Sequence, residues 1–358
     1  MKSLSPYNAG LTIAEVRDRH HPARIVKLGS NENPLGPSPR VSSLLADSRE
    51  LFRLYPDPAG RELSRLLASG FGVAESRVIL GNGSEDLIAV IARTVLRSDD
   101  RVVTLYPSFP LHEDYATLMG ARVERVDLRQ DLTIDTQALL AAVARPARMV
   151  IFSNPMNPVG SWLSSGELAQ VIEATRDDTL IVVDEAYAEY AMGDDYPSAV
   201  PLLEASDKPW IVLRTFSKAY GLAGLRIGYG IVSDPELRSF LDRARTPFNT
   251  NAIAQASALL VLGDAAHLRE TVALATSERQ RVRAMLLAQG LRVAPSKGNF
   301  LFIDTGQNGA AVAENLLKRG VIVKPWKQSG YESFIRVSIG RAEENDLFVE
   351  ALISVLGG

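Results

Sequence analysis

A serine and a lysine, Ser217 and Lys218, follow a buried-type apolar run, Ile211–Leu213, and Arg226 comes eight residues after the lysine. A lysine in a half-buried place can have its pKa lowered, and the neutral amine is the form that attacks a carbonyl to give a Schiff base. An exposed lysine without a special role is the usual alternative. The small, glycine-rich residues around Lys218 disfavour that alternative and indicate carbonyl chemistry.

An aspartate, Asp184, ends a second apolar run, Leu180–Val183. A carboxylate in this place is costly to bury unless a cation or a hydrogen-bond donor satisfies it. Its functional use would be to hold a positively charged nitrogen. A structural carboxylate, satisfied within the protein, remains an equal alternative on this residue alone.

Two more motifs follow apolar runs and contain turn-forming residues. Gly81–Asp86 (GNGSED) comes after Val78–Leu80 and opens a predicted helix, whose free N–H groups suit an anion such as phosphate. A tight turn with a Ser or Asp N-cap is the alternative, and the third glycine of a dinucleotide fingerprint is missing. Ser153–Gly160 contains two Asn-Pro pairs, which hold Asn157 near a strand end.

Together the four motifs meet the chemical needs of pyridoxal phosphate (PLP). This cofactor requires an amine for its aldehyde, a carboxylate for its pyridinium nitrogen, phenol or amide partners for its ring oxygen, and donors for its phosphate. Ligands of open parallel sheets bind in the crevice at the carboxyl ends of the strands, where all four motifs are predicted to lie. The sequence therefore predicts one PLP site.

Strands and helices alternate over the part of the chain that contains these motifs. Helical patterns such as Asp86–Leu96 and Glu167–Thr175 lie between apolar runs rich in β-branched residues. This order is typical of a mainly parallel sheet covered by helices on both faces. The predicted strands are Val78–Leu80, Arg101–Leu105, Met149–Phe152, Leu180–Val183 and Ile211–Leu213.

The pattern changes after Ala252, where a mostly helical stretch runs to about Gln289. Its arginines, Arg279, Arg281 and Arg283, are interpreted as one solvated helix face. Short strands and a closing helix then indicate a smaller α+β domain: Asn299–Ile303, Val321–Val323, Phe334–Ser338 and Glu343–Leu356. We expect an N-terminal arm with part of the small domain at 1–48, a large PLP-binding domain at 49–250, and an interdomain helix with the C-terminal small domain at 251–358.

The composition, 46% hydrophobic and 23% charged with a net charge of −3 over 358 residues, is that of an ordinary globular protein. The near-neutral charge disfavours nucleic acid or an anionic membrane as a partner. The absence of cysteine excludes disulfides and thiolate metal sites and fits a reducing cytosol. No secretory signal and no membrane span of about 18 apolar residues is visible. We expect a cytoplasmic protein without a metal.

The chain resembles the fold-type I PLP-dependent aminotransferases, and most closely the histidinol-phosphate aminotransferase family. The resemblance covers essentially the whole chain and depends most on Ser217–Lys218, on Ala223–Gly228 (AGLRIG) and on Asp184–Tyr187 (DEAY). It implies an α/β, three-layer PLP-dependent transferase fold, with a mainly parallel central sheet and a smaller α+β domain. It also implies a homodimer.

The resemblance implies a role for each motif residue. Lys218 would form the Schiff base with the cofactor and move a proton to and from the substrate Cα. Asp184 would pair with the pyridine nitrogen, and Asn157 and Tyr187 would hydrogen-bond the ring oxygen. The remaining cofactor contacts would be a stacking aromatic residue, phosphate-binding groups and a tyrosine from the neighbouring subunit: Phe109; Ser84, Glu85, Thr215, Ser217 and Arg226; and Tyr55.

On the substrate side, Arg336 matches an arginine that binds a carboxylate or phosphate, anions that a planar guanidinium suits. Tyr7 and Asn31 match substrate-side positions on an N-terminal segment that would fold over the site. Lys324 stands where many relatives have a second arginine for the substrate phosphate. Lysine still binds phosphate as a point charge, but the neighbouring Trp326 would equally suit an aromatic substrate. In the Asn-Pro motif, Val159 stands where relatives often have threonine.

The activity that the resemblance implies is transfer of an amino group between L-histidinol phosphate and 2-oxoglutarate, a step of histidine biosynthesis. An aromatic amino-acid aminotransferase and a phosphothreonine-type decarboxylase are the alternatives within the same superfamily. A PLP-binding transcription regulator is disfavoured because no basic helix-turn-helix precedes the cofactor motifs. A dinucleotide oxidoreductase is disfavoured by the incomplete glycine fingerprint.

Overall fold

The computed structural model describes residue 4 and residues 10–46, 48–193, 196 and 198–357. The helices within these residues are α1 (Ile13–His20), α2 (Arg40–Ala46), α3 (Arg49–Arg53), α4 (Arg61–Phe71), α5 (Ser84–Val95), α6 (Pro110–Leu118), α7 (Thr136–Val143), α8 (Ser165–Ala174), α9 (Ala188–Ala191), α10 (Ala199–Glu204), α11 (Pro235–Ala244), α12 (Ala252–Leu262), α13 (Ala265–Ala288), α14 (Gly309–Lys318) and α15 (Ala342–Leu356).

The strands, numbered in the same way, alternate with these helices over most of the chain. They are β1 (Val26–Lys27), β2 (Val78–Gly81), β3 (Arg101–Tyr106), β4 (Arg122–Asp127), β5 (Met149–Ser153), β6 (Leu180–Asp184), β7 (Trp210–Thr215), β8 (Gly228–Val232), β9 (Arg292–Val293), β10 (Phe300–Asp304), β11 (Val321–Ile322), β12 (Lys324–Pro325) and β13 (Phe334–Ser338).

The central sheet has seven strands in the order β2-β8-β7-β6-β5-β3-β4. The pairs from β7 through β6, β5 and β3 to β4 are parallel, and β8 is antiparallel to both of its neighbours. Consecutive side chains of a strand point to opposite faces of a sheet. Accordingly, Val103 and Phe152 lie in one hydrophobic core, and Val102 and Ile151 lie in another. Because both faces of the sheet are buried, the sequences of its central strands are apolar at nearly every position.

A second, antiparallel sheet has four strands in the order β12-β13-β10-β9. Its own core includes Leu301, Ile335 and Leu352. The N-terminal strand β1 pairs in parallel with β11, through Val26 and Val321, so the segment after β1 runs beside the C-terminal part of the chain. The predicted α/β class, a mainly parallel sheet with a smaller α+β part, is confirmed.

Two strands of the central sheet were absent from the sequence interpretation. The strand β4 lies at a sheet edge, and four of its six residues are charged, so it lacks the apolar run of a central strand. The strand β8 belongs to the glycine-rich stretch after Lys218. That stretch was interpreted as a set of small residues around the lysine and not as a strand. Gly228 and Gly230 in β8 contribute no side chain to the strand pattern.

The interpretation of three arginines on α13 as a solvated face is wrong. Arg279 is 8% exposed, and its Nη1 donates to the carbonyl of Gly298 at 2.7 Å. Arg281 pairs with Glu278 and with Asp346 of α15. These side chains are spaced two residues apart and therefore point in different directions around the helix. They join α13 to the segments packed against it.

A buried ion cluster joins the ends of β6 and β7. Both Nε and Nη2 of Arg214 contact Glu185 Oε2, at 2.7 Å and 2.6 Å, and Nη1 contacts Glu189 Oε1 at 3.2 Å. Glu185 also accepts from the Ala199 amide and the Ser198 hydroxyl. Burial raises the pKa of Glu189, so this second carboxyl group is easier to protonate than an exposed one.

No helix among the described residues is long and apolar enough to cross a membrane.

Candidate active site

A cavity of about 320 Å³ opens where the parallel strands of the central sheet end. We call its two sides the sheet wall and the outer wall. The sheet wall consists of loops that follow the strands: Ser84, Glu85, Phe109, Asn157, Asp184, Ala186, Tyr187, Thr215, Ser217, Lys218, Ala223 and Arg226. The outer wall comes from the segment after β1 and from the small sheet: Gly29, Ser30, Glu32, Lys324 and Arg336.

The amine of Lys218 lies between the two walls. Its Nζ donates to the carbonyl oxygen of Ser30 at 2.9 Å. Burial, and then the nearby charge of Arg336, lowers the pKa of Lys218 to about 7. A substantial share of the amine is therefore neutral near pH 7, and this share grows as the pH rises through the pKa. The neutral amine is the form that reacts with an aldehyde or takes up a proton.

Asp184 ends β6 and is buried, with two hydrogen-bond partners. Its Oδ1 accepts from the Ala186 amide at 3.1 Å, and its Oδ2 lies 3.2 Å from Nε2 of His112. Because a carboxylate only accepts, Nε2 of the imidazole holds the proton in this hydrogen bond. The other ring nitrogen, Nδ1, has no partner among the described residues. His112 thus fixes the carboxylate that would hold a positively charged nitrogen.

A chain of hydrogen bonds connects the outer wall to Tyr187. The Tyr187 hydroxyl accepts from Asn157 Nδ2 at 3.3 Å and from Asn31 Nδ2 at 3.0 Å. Arg336 donates through Nη1 to Asn157 Oδ1 at 2.7 Å and through Nη2 to the Gly29 carbonyl at 2.9 Å. An anion at Arg336 would therefore affect the groups that face a ring oxygen.

The opposite end of the cavity suits a phosphate. Helix α5 begins at Ser84, so the amides of its first turn lack intrahelical partners. Arg226, whose backbone adopts a positive φ of 57°, donates through Nη1 to Ser217 Oγ at 3.2 Å. A guanidinium, hydroxyl groups and helix amides together are the donors that a phosphate dianion takes.

Glycine is required where β8 approaches α5. A Cβ at Gly228 would lie 2.5 Å from the backbone nitrogen of Ser84, and a Cβ at Gly83 would lie 2.5 Å from Nη2 of Arg226. Either methyl group would intrude on the donors of the phosphate end. With this cradle, the Lys218 amine and the Asp184 carboxylate, the cavity fits PLP, and the residues of the sheet wall are those that would hold it.

Two cations face each other across the small sheet at the outer wall. Lys324 of β12 and Arg336 of β13 are directly paired in register, and both line the cavity. Burial, followed by the charges of Arg336 and Lys327, lowers the pKa of Lys324 to about 8. Two cations in cross-strand contact repel each other unless an anion lies between them, so this end of the cavity suits a second anionic group.

Two predicted site residues that the structure describes, Tyr55 and Asn31, do not line the cavity. Tyr55 is 82% exposed and stacks on Phe248 with ring centroids 4.6 Å apart. Asn31 is fully buried behind Tyr187, where it contacts the tyrosine hydroxyl. Tyr7 lies outside the described residues. The predicted roles of Tyr55 and Tyr7 stay predictions.

Sequence reasoning missed His112 and Glu32. His112 lies three residues after Phe109, in the first turn of α6, and a single histidine in a helix has no distinctive pattern. Glu32 lies between Asn31 and Asn33 in the loop NENPLGPSPR, which was interpreted only as irregular. Their placement beside Asp184 and in the outer wall depends on contacts between distant parts of the chain.

The chain matches the family described as aminotransferase class I and II over residues 23–352. The described residues contain no cluster of three or more candidate metal ligands. The chain is a PLP-dependent aminotransferase. This class is defined by its fold, by the lysine with a lowered pKa, by the buried aspartate and by the donors for the cofactor phosphate.

Individual relatives show to which family of aminotransferases the chain belongs. The chain is 64% identical over 352 residues to histidinol-phosphate aminotransferase 1 of Mesorhizobium japonicum, covering 98% of this chain and 96% of the relative. It is 62% identical over 355 residues to histidinol-phosphate aminotransferase 3 of Rhizobium meliloti, covering 99% and 96%. The structure of histidinol-phosphate aminotransferase from Sinorhizobium meliloti, in complex with pyridoxal-5'-phosphate, superposes with a TM-score of 0.89 at 32% identity and covers 99% of this chain and 96% of that chain. The chain belongs to the histidinol-phosphate aminotransferase family, and the resemblance found in the sequence is confirmed.

The cradle around Gly228 gives a direct test of the phosphate end. We expect Gly228→Ala to weaken PLP binding by about tenfold or more, because its methyl group would crowd the Ser84 amide and remove a charge-assisted hydrogen bond. The measurement is the dissociation constant from a spectroscopic titration of the enzyme with PLP. Gly224→Ala is the matched control, since a Cβ there meets no atom within 4 Å. Equal affinities of the two variants would contradict the cradle.

Proposed function

We propose that this chain transfers an amino group, with PLP as its cofactor, between L-histidinol phosphate and 2-oxoglutarate, giving imidazole acetol phosphate and L-glutamate. The observation that carries the proposal is the cation pair Lys324 and Arg336, in the outer wall of the cavity that Lys218 also lines. It offers an anionic substrate group a site within reach of the reactive amine. The names of the relatives from Mesorhizobium japonicum and Rhizobium meliloti support the same substrate. The reaction would belong to histidine biosynthesis in the cytoplasm.

Both substrates have an anionic group that the outer wall can bind. Histidinol phosphate has a phosphate, and 2-oxoglutarate has carboxylates. Arg336 offers a planar fork that suits either anion, and its hydrogen bond to Asn157 fixes the direction of that fork. Lys324 adds a positive charge that attracts an anion without requiring a particular orientation of the anion. One pair of cations can therefore serve both half-reactions.

Proton transfer is the task of Lys218. PLP, when bound, supplies the electron sink that makes the substrate Cα acidic. Lys218 Nζ, with its pKa lowered to about 7, can accept the Cα proton as a neutral amine and give it back as an ammonium. A base whose pKa lies near the working pH is the most effective one for this exchange.

Asp184 and His112 form a hydrogen-bonded pair where the ring nitrogen of the cofactor would bind. The carboxylate can hold a protonated ring nitrogen, and the Nε2–H of His112 orients it. Asn157 and Asn31 fix the Tyr187 hydroxyl in the same way. These groups position the reacting atoms, and preorganised dipoles of this kind need no rearrangement during the reaction.

The structure gives an aromatic substrate less support. Trp326, the residue that suggested one, does not line the cavity. Its indole ring is 5% exposed, packs edge-to-face against Phe302 with centroids 5.9 Å apart, and donates through Nε1 to Gln328 at 2.8 Å. Trp326 is a residue of the same hydrophobic core as Val103 and Phe152, and the guanidinium of Arg336 lies over its ring, 5.8 Å from the centroid.

Single-turnover reactions of the PLP-loaded enzyme test the substrate. We expect L-histidinol phosphate to convert the cofactor to its amine form much faster than L-phenylalanine does, because a phosphate dianion binds the cation pair more strongly than a single carboxylate does. L-Glutamate should convert it as well. The absorbance of the cofactor follows each reaction. Comparable or faster conversion by L-phenylalanine would make the chain an aromatic aminotransferase, and release of CO₂ without conversion would indicate a decarboxylase.

The pKa of Lys324 predicts a pH dependence specific to the phosphate. Because lysine is a cation only below its pKa of about 8, phosphate binding should be intact at pH 7 and weaken as the pH rises through 8. We expect kcat/KM for L-histidinol phosphate, divided by that for L-phenylalanine, to fall by about tenfold between pH 7 and 9.5. Lys324→Arg, which stays charged throughout, should abolish that fall. The same fall in the arginine variant would assign it to another group.

We further propose that the chain is a homodimer in which Tyr55 reaches the cofactor phosphate of the neighbouring subunit. An exposed apolar surface around Tyr55 supports this proposal. Within the described residues it consists of large side chains on α3 and nearby loops: Phe52, Leu54, Tyr55 and Phe248. Exposed apolar patches of this kind mark interfaces between proteins.

Mixed dimers test whether Tyr55 acts across the interface. Lys218→Ala and Tyr55→Ala dimers should each have little activity. In a mixture of both chains, a heterodimer would contain one site with an intact lysine and an intact partner tyrosine, so random mixing should restore about a quarter of wild-type activity. Gel filtration with light scattering would establish that dimers form. Activity no higher than that of the parent dimers would place Tyr55 in its own subunit's site or outside any site.

A further inference from the structure

Among the residues that the structure describes, the outer wall of the cavity contains one carboxylate, that of Glu32. The other residues of this wall are two cations, Lys324 and Arg336, and two residues whose carbonyl oxygens are engaged, Gly29 and Ser30. An acidic group beside two cations in a wall that would bind anions is unfavourable for binding carboxylates or phosphates. Its position therefore requires an explanation in terms of the substrate.

The backbone holds Glu32 in a fixed place. Asn31, directly before it, adopts a positive φ of 56°, and its amide donates to Ser338 Oγ at 2.7 Å. The Asn31 carbonyl accepts from Asn299 Nδ2 at 3.1 Å. These bonds fasten the segment to the ends of the small-sheet strands. The Ser30 carbonyl accepts from Lys218, so the segment also lies against the reactive amine.

The carboxylate of Glu32 is half engaged. Its Oε1 accepts from Lys27 Nζ at 2.6 Å, whereas its Oε2 makes no hydrogen bond to any residue that the structure describes. The side chain is 41% exposed, so a ligand in the cavity can reach it. Lys27 thus binds one oxygen of the carboxylate and leaves the second oxygen uncovered.

The charge of Glu32 acts on the amine of Lys218, which lines the same cavity. Its charge opposes the lowering of the Lys218 pKa. The charges that shift the pKa of Lys324 are instead those of Arg336 and Lys327. The outer wall therefore combines two cations with one carboxylate acceptor.

We propose that Glu32 is a specificity-determining residue that accepts a hydrogen bond from the N–H of a side-chain ring on the amino substrate. This inference rests on the proposed function, in which the substrate has an imidazole at one end and a phosphate at the other. The carboxylate takes the imidazole N–H, and Lys324 and Arg336 take the phosphate. A phenyl ring has no N–H to offer and leaves the carboxylate unsatisfied, and a site built to hydrogen-bond its substrate rejects such an analogue strongly.

Two substrates that differ only in the ring test the proposal. L-Histidinol phosphate and L-phenylalaninol phosphate share the amine and the phosphate. We expect the wild-type enzyme to prefer the first in kcat/KM. Glu32→Leu, which removes the acceptor at similar volume, should lower kcat/KM for histidinol phosphate by about ten- to a hundredfold, with little change for phenylalaninol phosphate. Glu32→Gln keeps an uncharged acceptor and should lie between.

Lys27→Met is the matched control, because it breaks the ion pair and leaves the Glu32 carboxylate in place. The ring preference should survive in this variant. An equal loss of preference in Lys27→Met and Glu32→Leu would overturn the proposal, because the ion pair would then be structural. An equal fall for both substrates in Glu32→Leu would also overturn it, because Glu32 would then act only through Lys218. If the wild-type enzyme did not react with histidinol phosphate, the proposed function itself would be refuted. This outcome is measured on the wild-type enzyme alone and is therefore distinct from a failure of the proposal for Glu32.

Discussion

The ion pair between Arg214 and Glu185 is the constraint on which the site depends. Glu185 directly follows Asp184, and Arg214 directly precedes the segment that leads to Lys218. The two side chains meet in the core, where they are almost completely buried. Removing one partner of such a pair costs about 3–5 kcal/mol, because the other charge is left without compensation. The strand ends that present the carboxylate and the amine are therefore held in register by a contact that takes no part in the chemistry.

The cavity joins groups that belong to distant parts of the chain. The sheet wall offers donors for one anion and an acceptor for a cationic nitrogen, and the outer wall offers cations and one acceptor. The hydrogen bonds from Arg336 to Asn157 and from Lys218 to Ser30 connect the walls. Because each wall is fixed by its own sheet, the relative position of the sheets sets the distance over which a substrate can be held. Substrate selection and cofactor binding thus share the same few hydrogen bonds.

Local sequence patterns were sufficient to predict the central strands and the motif residues at their ends. The apolar runs ending at Phe152, Val183 and Leu213 are strands of the central sheet, because a strand buried on both faces is apolar throughout. The motif residues at those strand ends line one cavity, since parallel strands end at one edge. His112 and Glu32 could not be found in this way, because their significance comes from contacts across 72 residues in one case and from the fold of the outer wall in the other. The arginines of α13 were misinterpreted because charge in a helix does not reveal burial.

The edges of the central sheet differ in a way that bears on how copies of the chain can meet. At one edge, β2 is buried. At the other, β4 is open, but Arg122 and Glu124 alternate along it, and both are engaged in ion pairs. A charged edge discourages a second copy from adding its own strand, a route that leads to open-ended polymers rather than closed pairs. Strand addition is thus disfavoured at both edges of the central sheet, so the exposed apolar surface at α3 is not accompanied by an open sheet edge that invites polymers.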